Sequence, residues 1–187
     1  MHLPNLRILA ALAVGTSLSP AVSAQSNTAP QVPPCSGEES RQLDFWVGDW
    51  HAEWDNPDGS IGRGENRVSR DEYGDCVIYE RFIAYDFPGV GRIHGMSISN
   101  YFAATSNWRQ TWVDDQGGYF ALSGGPVEDE DHVFELINQR PTDAFPHLRM
   151  IWQDVTGDAF TWRWQGRASI DEDWADRWVI RYTRMAE

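Results

Sequence analysis

Past residue 47 the chain alternates apolar and polar side chains with a period of two, and no helix-period pattern of useful length follows. Trp50, Ala52 and Trp54 fall on one face of the first alternating stretch, while Asp49, His51, Glu53 and Asp55 fall on the other. Turn formers then punctuate the chain at near-even intervals, at Asn56-Pro57-Asp58-Gly59, Glu72-Tyr73-Gly74-Asp75, Asp115-Gln116-Gly117-Gly118 and Thr156-Gly157-Asp158. Ten strands are therefore expected: one ending at Asp55, then Ser60–Arg70, Cys76–Tyr85, Met96–Phe102, Trp108–Asp114, Gly118–Gly125, His132–Gln139, Leu148–Asp154, Phe160–Ser169 and Arg177–Arg184. Asp86–Gly95 and Pro141–Pro146 read as longer loops, and Pro126–Asp131 as an acidic, solvated connection. Short strands joined by hairpins lose their exposed edges only by closing on themselves, so the expected fold is all-β, an antiparallel up-and-down barrel. A barrel of this size leaves room inside for one small ligand.

The residues before the first strand have a different character. Ser36–Gln42 is a polar run with Ser36 placed as an N-cap and Glu38 and Glu39 in the first turn, and Gly48 ends it. A short plug helix is expected there. Further upstream, Arg7, the apolar run Ile8–Leu18 and the small residues of Val22-Ser23-Ala24 read as a secretory signal peptide over 1–24. Residues 25–35, rich in Pro, Ser, Asn and Gln, read as a flexible leader, leaving 36–187 as one barrel domain. The expected location is the periplasm or the exterior. No apolar run is long enough for a helical membrane span.

Cleavage after Ala24 leaves 14 Arg against 28 Asp plus Glu, a formal charge of −14, and the chain has no Lys. Nucleic acids and anionic membranes need basic partners, so this balance argues against both. Cys35 and Cys76 are the only cysteines, and export favours a disulfide between them. Cys35 follows Pro33-Pro34 without a lipobox, which disfavours a lipid anchor.

Four blocks carry a resemblance: Phe45-Trp46-Val47-Gly48-Asp49-Trp50, Gly74–Glu80, Ser99-Asn100-Tyr101 followed by Trp108–Asp114, and Arg149-Met150-Ile151-Trp152. In this order they look like a widespread bacterial family of small, often exported, lipocalin-like (calycin) barrels, distantly similar to the nitrobindins. The resemblance spans about residues 41–185. It implies the fold and carries no common chemistry. It also implies that the floor tryptophan, Trp50, is stacked by an arginine of the last strand that bonds backbone carbonyls. Arg184 and Arg181 are the candidates, and Arg184 is favoured because it shares a face with Trp178, Ile180 and Tyr182. One departure matters. Nitrobindin barrels hold haem through a late histidine, but the last histidine here is His147, so no haem is expected.

Signatures of common chemistries are missing. The histidines of the processed chain (His51, His94, His132, His147) are scattered, so no metal site is expected. Nucleophile-elbow, phosphate-loop and dinucleotide motifs are absent from the sequence. What stands out is polar residues on apolar strand faces. Glu80 lies between Ile78 and Phe82, Asn100 between Ile98 and Phe102, and Gln110 between Trp108 and Trp112. Asn66 shares a face with Val68, and Asp114 follows Trp112 at the same spacing. Pointed inward, they make an aromatic pocket with a few hydrogen-bonding groups, which is how small-molecule sites are built. Trp108, Trp112 and Trp152 would stack on the ligand, while Trp46, Trp50 and Trp178 would fill the barrel. Buried, Glu80 would hold its proton more tightly unless Arg81, Arg109 or Arg149 met it.

The leading expectation is an exported, cofactor-free protein, monomeric or weakly dimeric, that binds a small apolar or aromatic molecule oriented by Glu80, Asn100, Gln110 and Trp112. The alternative is a cofactor-free lyase, isomerase or cyclase with Glu80 or Asp114 as general acid or base. A third is an envelope interaction protein, which a large exposed apolar patch would favour.

Overall fold

A computed structural model describes residues 35–70, 75–127, 134–138 and 147–186. The expected signal peptide at 1–24, the leader up to residue 34, the turn residues 71–74, the acidic connection at 128–131 and the loop at 141–146 lie outside them. Residues 132, 133 and 139 of the seventh expected strand do as well.

Ten strands are found among the described residues: β1 Gly48–Asp55, β2 Ile61–Ser69, β3 Val77–Phe87, β4 Gly91–Phe102, β5 Asn107–Asp114, β6 Tyr119–Pro126, β7 Phe134–Asn138, β8 His147–Gln153, β9 Ala159–Arg167 and β10 Ala175–Arg184. Each pairs antiparallel with the next, and β10 returns to β1, closing the barrel. The register carries the pleat around the ring: Trp50 lies opposite Asn66 on one side and Arg184 on the other. From Trp50 on, the even-numbered residues of β1 are buried and the odd ones are exposed, because one face meets the lumen and the other meets water. The order of turns makes the two ends unlike. The segments before β1 and after β2, β4 and β8 gather at one end, and the turns after β1, β3, β5 and β9 at the other.

The first end is plugged, as expected, by short helical structure, in the form of two 3-10 turns, Glu38–Arg41 and Asp44–Trp46. A 3-10 turn repeats every three residues, so Ser40, Leu43 and Trp46 stack on one side, and all three are buried. The period of 3.6 would have swung one of them out. Gly37, not Ser36, precedes the first turn, and no side chain caps it. Ser40 Oγ instead donates to the carbonyls of Cys35 and Gly37, both at 2.7 Å. The Cys35–Cys76 disulfide ties the plug to the residue before β3, with a Cα–Cα distance of 5.1 Å.

Trp50 forms the floor. Its Nε1 donates to the Trp46 carbonyl at 2.8 Å, and the Arg184 guanidinium lies 4.1 Å from its ring centroid. Arg184 donates to the carbonyls of Gly157 (2.9 Å), Val47 (3.1 Å) and Phe45 (3.4 Å), so stacking and carbonyl capping coincide in one side chain. Gly48 allows this approach. Its φ is +143°, and a Cβ there would sit 2.1 Å from Arg184 Nη1.

Asp86–Gly95 is not a long loop. β3 runs to Phe87 and β4 starts at Gly91, with Val90 N–H donating to the Phe87 carbonyl at 3.1 Å. Gly89 and Gly91 take positive φ (78° and 86°), so the glycines mark a tight turn at the tip of a long hairpin.

Candidate functional site

Above the plug, whose Trp46 forms part of the lining, the barrel is hollow. A cavity of about 160 Å³ is walled by aromatic rings, among them Trp112, Trp162, Trp164 and Trp178, with Glu80 and Gln110 set among them. An apolar cavity of about 150 Å³ is enough to hold a single aromatic ring. The rings are ordered by edge-to-face contacts: Trp178 meets Trp162 at 6.0 Å and Phe82 at 5.7 Å. Gly95 makes room for this wall, since a Cβ there would lie 2.1 Å from the Trp112 ring.

Glu80 projects from β3 into the lumen and is buried. Residues of the two flanking strands supply its hydrogen bonds. Ser97, directly opposite on β4, donates to Oε2 at 2.5 Å, and Asn66 on β2 donates through Nδ2 to Oε1 at 2.8 Å. Burial raises its pKa to about 7, and the bonds from Ser97 and Asn66 pull the other way without cancelling the rise. Tyr182 of β10 shares this environment. Burial and then the Glu80 charge lift its phenol well above the usual tyrosine value, while Asn66 lowers it. No described arginine meets Glu80: Arg81 and Arg109 are exposed on the outer face, over Tyr79 and Phe102.

Gln110 of β5 repeats the pattern one step along. Its Nε2 donates to Ser99 Oγ, its register partner on β4, at 3.0 Å, and its Oε1 has no protein partner although the side chain is 3 % exposed. Trp152 and Trp178 also line the cavity, and neither indole N–H has a protein partner. The lining thus carries donors and an acceptor that the fold leaves unsatisfied, and such groups are costly unless something meets them. Asp114 stands at the rim in the opposite condition. It accepts from Trp112 Nε1 (2.9 Å), Gly118 N (2.8 Å) and Gln116 N (3.0 Å), so the hairpin turn uses up its oxygens.

Three residues expected in the pocket lie elsewhere. Asn100 is exposed, because β4 turns Ser97, Ser99 and Tyr101 inward and leaves Ile98, Asn100 and Phe102 outside. Ile98 and Phe102 are on the solvent face because the inner positions between them are the serines that bond Glu80 and Gln110. Arg149 is on the outer face of β8, bonded to Gln165 Oε1 at 2.8 Å and stacked 4.3 Å from the Trp174 ring, since Leu148, Met150 and Trp152 take the inner face. Trp108 is buried but donates to Gln42 Oε1 of the plug at 3.0 Å and is not among the residues that line the cavity. Asn66 is buried and reaches the site through Glu80. Conversely, Trp178, expected as filler, is part of the wall, and the inward serines and Tyr182 were not anticipated. Their signal was present as Ser97 and Ser99 at the spacing of two on a strand whose other face is apolar.

Among the described residues no cluster of His, Cys, Asp or Glu could hold a metal ion, and no helix is long and apolar enough to cross a membrane. Compared with known proteins, the chain matches no family model and no curated protein.

Proposed function

We propose that this barrel binds a small, largely apolar or aromatic molecule in its lumen. The observation that carries the reading is the conjunction of an aromatic-walled cavity of about 160 Å³ with Gln110 Oε1 and the Trp152 and Trp178 indole nitrogens lacking protein partners. A core built only for stability would pair those atoms, as the floor does. The lipocalin-like (calycin) resemblance agrees with this use of the fold and is retained here as part of the proposal. So is export, to which the Cys35–Cys76 disulfide lends support. The outward charges of β1 and β2, such as Asp49, Glu53, Arg63 and Arg67, suit water, and the acidic balance gives nucleic acid no footing. The test is a panel of single-ring compounds (phenol, indole, benzyl alcohol, benzylamine) read by tryptophan fluorescence and thermal shift. Quenching with a rise in Tm for at least one is expected; no response to any would contradict the reading.

A second reading keeps the site and adds a reaction, with Glu80 as general acid or base of a cofactor-free lyase, isomerase or cyclase. It is favoured by a buried carboxyl in a ring-lined cavity whose pKa of about 7 suits proton transfer near neutrality. Its check is NMR of a captured ligand incubated with the protein. Conversion by the wild type that Glu80→Gln removes at unchanged Tm supports it, and conversion that survives the substitution excludes Glu80.

A further inference from the structure

We propose that the lumen selects a compact protonated amine, its ammonium group held by Glu80 and Gln110 and its hydrocarbon body lying among Trp112, Trp162 and Trp178. The inference rests on the ligand-binding reading above and names the class of molecule.

Three observations carry it. The charged side chains that line the cavity are Glu80 and Asp114, both acidic; no described Arg, Lys or His is among them. A cavity with that lining opposes a second negative charge and favours a positive one. The rest of the wall is rich in indole and phenyl rings, whose negative faces attract cations, most strongly when water is excluded. Finally, Gln110 Oε1 is an acceptor without a protein partner, and an ammonium brings donors to both it and Glu80. The cations that might have neutralised Glu80 within the fold are turned outward, as Arg81, Arg109 and Arg149 show. A chain of formal charge −13 without lysine also draws small cations toward itself. The free indole N–H groups of Trp152 and Trp178 then call for an acceptor, which an uncharged hydroxyl on the same molecule supplies. Two carboxylates in the lining weigh against an anionic one.

A dependence on pH follows from the geometry. The groups that face Glu80 are Asn66 from β2, Ser97 from β4 and Tyr182 from β10, and Asp114 of β5 lines the same cavity; none of these described groups is cationic. Glu80 is half-protonated near pH 7, so amine binding displaces its proton.

The experiment is isothermal calorimetry on the whole protein with three isosteric probes, benzylammonium, benzyl alcohol and benzoate, at pH 6 and pH 8. The amine should bind at least ~10-fold more tightly than the alcohol at pH 8, with benzoate weakest, and the preference should shrink at pH 6. Proton release at pH 7, read from buffers of different ionisation enthalpy, should accompany amine binding alone. Glu80→Gln, checked for folding by its melting curve, should erase both the preference and the release; should that variant not fold, the wild-type pH dependence decides. Alcohol binding as tightly as amine, or benzoate binding most tightly, overturns the inference while leaving the ligand site standing. Binding by none of the three counts against the site itself.

Discussion

The floor of the barrel and the wall of its cavity use the same residue type in opposite ways. At the floor, the indoles of Trp50 and Trp108 are tied into the frame. Trp50 donates to Trp46, Trp108 donates to Gln42, and Arg184 caps three carbonyls while lying over Trp50. Along the cavity wall Trp152 and Trp178 have no protein partner, and a carboxyl is held among rings with no described cation beside it. Both regions bury aromatic surface, which at about 25 cal/mol per Å² makes each contribute strongly to folding. What separates them is whether the hydrogen bonds are complete. A satisfied indole is part of the frame, whereas an unsatisfied one beside empty space is available to a guest.

The contrast can be broken most forcefully at the floor. Removing the disulfide by Cys35→Ser with Cys76→Ser releases the plug, and the chain-entropy model puts the loss at about 4 kcal/mol for the loop closed here. That corresponds to a fall in Tm of roughly 10 °C by calorimetry. Trp50→Phe should cost about 3 kcal/mol in urea unfolding, because the Trp46 carbonyl loses its donor and Arg184 its best stacking face. In the upper lumen the informative variable is pH. Glu80 has its folded pKa raised from 4.5 to about 7, so the folded state holds the proton more tightly than the unfolded chain. Its contribution is fully present below pH 4.5 and is lost as pH rises through 7, for a total of about 3 kcal/mol. Wild-type stability relative to Glu80→Gln should fall by that order across this window in chemical denaturation, and parallel profiles would show that Glu80 is not buried as described. The smallest effect is expected where bonds are already missing. Trp178→Phe removes an unpartnered N–H and should change stability by no more than about 1 kcal/mol, against about 3 for the same change at Trp50. Equal costs at both sites would erase the distinction between frame and pocket.

Much of this frame can be read from residue order. The period of two along β1, β2, β3 and β5 places Trp50, Asn66, Glu80 and Gln110 inward, and turn residues separate the strands. Reading failed where an exception had a physical cause. β4 reverses its apolar face, because Ser97 and Ser99 must oppose Glu80 and Gln110, so Asn100 lies outside while Ile98 and Phe102 stay half in water. Gly89 and Gly91 suggest a loop by composition, yet they serve a tight turn. The short plug helix itself is legible in the sequence, and only its repeat of three residues is too short-lived to detect in the nine positions from Glu38 to Trp46. Hydrogen-bond completeness, which separates Trp50 from Trp178, depends on contacts between distant strands and leaves no mark on local sequence.

The separation of frame from pocket is tested most directly by a crystal grown with 4-bromobenzylamine and measured at the bromine edge. An anomalous peak in the lumen beside Trp112 and Trp178, with the amine nitrogen within hydrogen-bond distance of Glu80, is the predicted result. A saturated crystal with bromine only on the outer surface, and side chains closing the space between Glu80 and Trp178, would contradict it.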